Sequence, residues 1–127
     1  MPIVYQKRIH RADLQSNPDR LYVFGDNTLR VGMGGQAKEM RHEPNAVGIA
    51  TKWTPSMDDA AFFSDGQLYQ IRQIWIENTE RLVTHLFEGG TVVWPTDGIG
   101  TGLSKVPTKA PLVWEMMEQF RKDLEMI

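Results

Sequence analysis

The sequence predicts a single α/β domain. Short apolar runs alternate with longer stretches of helical periodicity, and two glycine-rich loops each follow a predicted strand. A length of 127 residues suffices to close one hydrophobic core, and no second domain is expected. An apolar share of 41% and a charged share of 24% are those of an ordinary globular chain.

Taken in order, Ile3, Val4 and Tyr5, with Ile9 beyond them, predict a first strand, at a sheet edge because Lys7, Arg8 and Arg11 lie beside it. Residues 12–20 form a turn-rich connector, since Asn17-Pro18-Asp19 stops any helix that begins near Asp13. A second strand follows from about Leu21. Residues 22–36, YVFGDNTLRVGMGGQ, then run from strand through a polar loop and a glycine-rich turn into a helix expected over about Gly34 to His42. Ala46 to Ala50 reads as a buried strand with a polar exit, Thr51-Lys52-Trp53-Thr54-Pro55. Residues 56–66 read as a structured loop or a short helical turn anchored by Phe62-Phe63, with base stacking as a second use of Trp53 or Phe63.

From Gln67 to about Phe87, Leu68, Ile71, Trp75, Leu82 and Leu86 recur mainly at three- and four-residue steps, the mark of a long helix closed by Gly89-Gly90. Thr91 to Pro95 is a further buried strand. The second glycine-rich loop, Thr96 to Lys105, follows it directly. A last helix carries Val113, Met116, Met117, Phe120 and Leu124 on one face, with Pro111 in its first turn where proline is tolerated.

Both glycine loops leave the carboxyl ends of predicted strands, where open α/β sheets bind ligands, so they are expected to flank one crevice. Unpaired amides at a helix start and a glycine-lined backbone suit an anion. The spacing is neither that of a P-loop nor that of the dinucleotide fingerprint. Asp26 and Asp97 are candidate carboxylates for a shared site, each with a turn or cap as the alternative. Lys52 and Lys105 are phosphate or nucleophile candidates, or surface lysines.

The remaining composition narrows the chemistry. No cysteine is present, which removes disulfides, thiolate nucleophiles and cysteine-ligated metals. His10, His42 and His85 share no metal-ligand spacing, so no metal and no cofactor are expected. Ser104 lies in no nucleophile elbow. A net charge of −2 argues against a duplex nucleic-acid partner, and the absence of a long apolar run argues against a membrane. A cytoplasmic protein is the expectation, with the oligomeric state left open.

Three segments resemble the macro domain, the α/β module that binds ADP-ribose and related nucleotides and in some branches hydrolyses ADP-ribosyl bonds. Ala12-Asp13-Leu14 resembles its Gly-Asp-Ile segment, which implies that Asp13 contacts the base. Phe24-Gly25-Asp26-Asn27 with Gly32-Met33-Gly34-Gly35-Gln36-Ala37 resembles the segment beside the distal ribose and diphosphate. Val93 to Leu103 resembles the strand, proline and glycine loop that close over the phosphates. Phe24 stands where that family has its first asparagine, and Asp26 replaces a small residue. The strings GDNTLRxGxGGQA and NAxGIxTK also resemble a small group of uncharacterised phage and bacterial proteins.

The resemblance implies a three-layer, mixed sheet flanked by helices and a small-molecule nucleotide ligand. Gly32, Gly34, Gly35 and Gln36 would hold it from one side, with Thr51 and Lys52 beside them. Thr96, Gly98, Ile99, Gly100, Thr101 and Gly102 would hold it from the other. If the protein is a hydrolase of ADP-ribosyl or phosphate bonds, Asn27 and Asp26 place or activate water, with Asp97 as the alternative. A nucleotide-sequestering protein without turnover, and an interaction domain with purely structural glycine loops, stay open beside it.

Overall fold

Alternation along the strands decides which helices cover which face. The computed structural model describes residues 2–127, with strands β1 (Ile3–Gln6), β2 (Leu21–Asn27), β3 (Ala46–Lys52) and β4 (Val92–Pro95) in one four-stranded sheet of order β1-β4-β2-β3. Leu21 and Val23, Val47 and Ile49, and Val92 and Trp94 point to one face. There α3 (Leu68–Phe87) and α5 (Pro111–Glu125) bring Ile71, Trp75, Leu82, Val113 and Met117 against them. Tyr22, Phe24 and Val93 point to the opposite face, where Leu14 of α1 (Arg11–Ser16) and Ala37 and Met40 of α2 (Ala37–Met40) join Ile9. The result is the expected three-layer α/β domain.

Every strand pairing in the sheet is parallel: β1 with β4, β4 with β2 and β2 with β3. The mixed character expected of the sheet reduces to one antiparallel bridge, Lys52 with Phe62. The physical reason is the helices, which carry the chain back to the same end before each strand begins. Ile9 lies beyond β1 and serves the second core instead of extending the strand.

At Ala50 the outer edge of β3 is covered by α3. Trp75 Nε1 donates to the Ala50 carbonyl at 2.8 Å, and Asn78 Oδ1 accepts from the Ala50 amide at 2.9 Å. Both groups would otherwise be an open template for another strand. Trp53 and Phe63 meet edge to face with centroids 5.0 Å apart, and Trp53 Nε1 donates to Gln67 Oε1, so this aromatic pair is taken up in packing. Asp65 Oδ1 accepts from the amides of Leu112 and Val113 and so caps α5 from a distant loop. A short helix α4 (Val106–Lys109) precedes α5. The helix expected over Gly34 to His42 contracts to α2, because Gly35 sits at φ +57, outside the right-handed helical region.

Candidate functional site

β2 and β4 are neighbours, yet their chains leave in opposite directions. After β2 the chain enters α2 on one face, and after β4 it enters α4 and α5 on the other. The two strands pair only at Leu21 with Val92 and Tyr22 with Val93, and diverge beyond. Such a divergence opens a crevice at the carboxyl ends of the strands. A cavity of about 350 Å³ lies there.

Both glycine loops line it, as do the ends of β2 and β3. From the first loop come Gly32, Gly34, Gly35 and Gln36, and from the second Gly98, Ile99, Gly100, Thr101 and Gly102. Asp26, Asn27, Thr51, Lys52 and Asp97 line the same cavity, so the two carboxylates share one site. Asp13 and Thr96 do not belong to its lining. The carboxylate of Asp13 accepts instead from Gln6 Nε2 and from the His10 amide, as part of the cap of α1. The Thr96 amide donates to the Gln6 carbonyl beside the strand end. Lys105, at φ +49, turns the chain into α4 and is likewise outside the lining.

Asp26 is held by a partner that lies outside the two loops. Arg41 Nη2 donates to its Oδ1 at 2.5 Å and Nη1 to its Oδ2 at 3.2 Å, the two side chains being 10% and 2% exposed for Arg41 and Asp26. Arg41 also donates from Nε to the Gly32 carbonyl at 2.7 Å and stands 5.5 Å from the Phe24 ring centroid. The pair therefore ties the first glycine loop to the end of β2. Asn27 supports the same loop: its Nδ2 donates to the Val31 carbonyl and its Oδ1 accepts from the Leu29 amide. Gly48 of β3 makes room for the carboxylate, since a Cβ there would lie 2.6 Å from Asp26 Oδ2.

The second loop is shaped by backbone. Gly98 and Gly100 sit at φ +82 and +83, and a Cβ on Gly100 would meet Val106 Cγ2 at 3.1 Å. The amides of Gly98, Lys105 and Val106 donate to backbone carbonyls, whereas those of Ile99 to Ser104 donate to none among the described residues. Ile99 packs against β2, its Cβ 3.6 Å from where a Gly25 Cβ would stand.

Lys52 is a buried cation at the cavity wall. Its Nζ donates to the Ser56 carbonyl at 2.5 Å, lies 4.6 Å from the Phe62 ring centroid, and pairs with no carboxylate among the described residues. Burial pushes its pKa below the ordinary lysine value. Gln36 Oε1 is buried with no hydrogen-bond partner. Beyond the sequence-derived set the lining includes Lys7, Arg41, Ser104, Pro55 and Met57, and also Gly25, Val31, Ala37, Pro95 and Leu103. Arg41 had one available signal, an arginine directly after a short helix whose residues Ala37 and Met40 face the core.

No three histidine, aspartate or glutamate side chains form a metal-holding group among the described residues, and no described helix is long and apolar enough to cross a membrane. The molecule is a parallel α/β domain with a glycine-walled cavity at the topological switch point of its sheet. Residues 4–120 match the family described as a family of unknown function (DUF7831), and the chain belongs to it. No curated protein and no solved structure matches it.

Proposed function

We propose that the cavity binds an ADP-ribose-type or related nucleotide derivative, with its phosphates between the two glycine loops. The observation that carries this reading is the second loop: residues Ile99 to Ser104 line the same cavity as Lys52, which pairs with no carboxylate among the described residues, and their amides are free of backbone acceptors. Backbone amides together with a desolvated ammonium are a strong combination for phosphate oxygens. Asp13, engaged by Gln6 and His10, has no part in this reading of the base contact. The cysteine-free composition is in keeping with a cytoplasmic setting, which belongs to the same proposal. Isothermal titration with ADP-ribose tests it: saturable heat is expected, and no heat at millimolar ligand removes this ligand.

Binding without turnover is favoured over hydrolysis by one feature. Both oxygens of Asp26 are engaged by Arg41, and both ends of the Asn27 amide are engaged by the first loop. In a hydrolase, the exposed Asp97 would then be the carboxylate left to activate water. Product analysis after incubation with ADP-ribosylated protein separates the two readings, intact substrate favouring sequestration.

A further inference from the structure

Part of the cavity mouth is apolar, beside the exposed Lys7, Asp97 and Thr101 that also line it. Val31, Met57 and Leu103 line it while 48%, 54% and 62% exposed, and they come from three separate segments of chain. Those segments touch one another: a Gly32 Cβ would lie 3.6 Å from Pro55, and a Gly34 Cβ 3.8 Å from Leu103 Cδ1. The exposed apolar side chains thus sit on converging segments that meet at the first loop, not as single residues scattered over the surface, and a patch of this kind marks a binding surface. Lys52 Nζ stands 3.6 Å from Met57 Sδ, so the cationic wall and the apolar rim adjoin.

From this juxtaposition we infer that Val31, Met57 and Leu103 form the seat of the ligand's purine base, with the phosphates deeper, against Lys52 and the second loop. The inference rests on the nucleotide reading above and adds where the base lies. A ligand that is anionic at one end and flat and weakly polar at the other matches this order of surfaces. The flexible thioether of Met57 suits the face or edge of an aromatic ring, and the branched ends of Val31 and Leu103 suit its opposite side.

The test compares ADP-ribose with ribose 5-phosphate, which lacks the base, on the wild type and on a Met57→Gln, Leu103→Gln double variant. Both side chains are more than half exposed, so the fold is expected to persist, with thermal melting as the control. The expected result is a loss of roughly tenfold or more in ADP-ribose affinity, the size of effect that follows from about 1.4 kcal/mol of lost contact, with ribose 5-phosphate binding unchanged. Unchanged ADP-ribose affinity in the variant overturns the base seat while leaving the nucleotide reading intact. Equal weakening of both ligands also overturns it, since the rim would then act on something other than the base. If the wild type binds neither ligand, the nucleotide reading and the base seat fall together.

Discussion

Asp26 and Arg41 meet through two hydrogen bonds in the buried layer beneath the first glycine loop, and the same guanidinium holds the Gly32 carbonyl. One ion pair therefore anchors both a strand end and a loop. Removing Arg41 leaves the buried Asp26 carboxylate with only the Asn27 amide and the more distant, half-exposed Arg30, whose Nη1 is 3.8 Å from Oδ2. Arg41→Ala is expected to cost about 3–5 kcal/mol in denaturant unfolding, whereas a double Asp26→Leu, Arg41→Met variant recovers much of the loss. A double variant no more stable than the single ones would show that the pair is not the source of the effect.

Gly48 is the matching prediction on β3. Its missing side chain is the space that Asp26 Oδ2 and the Phe24 ring occupy. Gly48→Ala forces one of them to move and is expected to destabilise by about 1–3 kcal/mol. Chemical denaturation measures it, and a Tm equal to wild type would contradict the placement of the carboxylate.

The second loop separates conformational from steric demands. Gly100 has φ +83 and faces Val106, whereas a Cβ on Gly102 has no neighbour within 4 Å and Gly102 has no positive φ. Gly100→Ala should lower stability by at least about 1 kcal/mol through strain. Gly102→Val should leave stability within about 0.5 kcal/mol of wild type while, on the proposed function, weakening ligand binding, because Gly102 lines the cavity. Melting curves and titrations on both variants check the contrast.

Lys52 makes a pH prediction. Its pKa in the folded chain is depressed by burial, so between that value and the ordinary one, 10.5, the unfolded chain binds more protons. Stability contributed by this group therefore rises with pH across that window, and the burial penalty is present in full below it. Anion binding runs the other way. Affinity for a phosphate-bearing ligand should fall as pH climbs through the depressed pKa, and binding within that window should take up protons. Titrations in buffers of different ionisation enthalpy measure the uptake, and Lys52→Met should abolish it.

Much of the fold is legible in the sequence, because strands and long helices are written in local periodicity. The steps from Leu68 to Leu86 identify α3 almost to its ends, and Pro111 marks the first turn of α5. The two loops are likewise legible as companions, since each follows a strand. Arg41 is not legible as the partner of Asp26: the two lie in different elements, and no spacing rule joins a strand end to the residue after a short helix. Asp13 shows the opposite limit. Its position in a family-like segment implies a base contact, but three residues after His10 it is also in place to close a helix cap, and the structure uses it there.

The tether from Arg41 to Gly32 makes the two walls of the cavity mechanically unequal. The first loop is fastened to the sheet through side chains, so the ligand of the proposed function would find that wall already in position. The second loop is shaped by glycine torsions and short turns. Freedom lost on binding falls mainly on that second wall, and substitutions there are the ones that tune residence time without disturbing the fold.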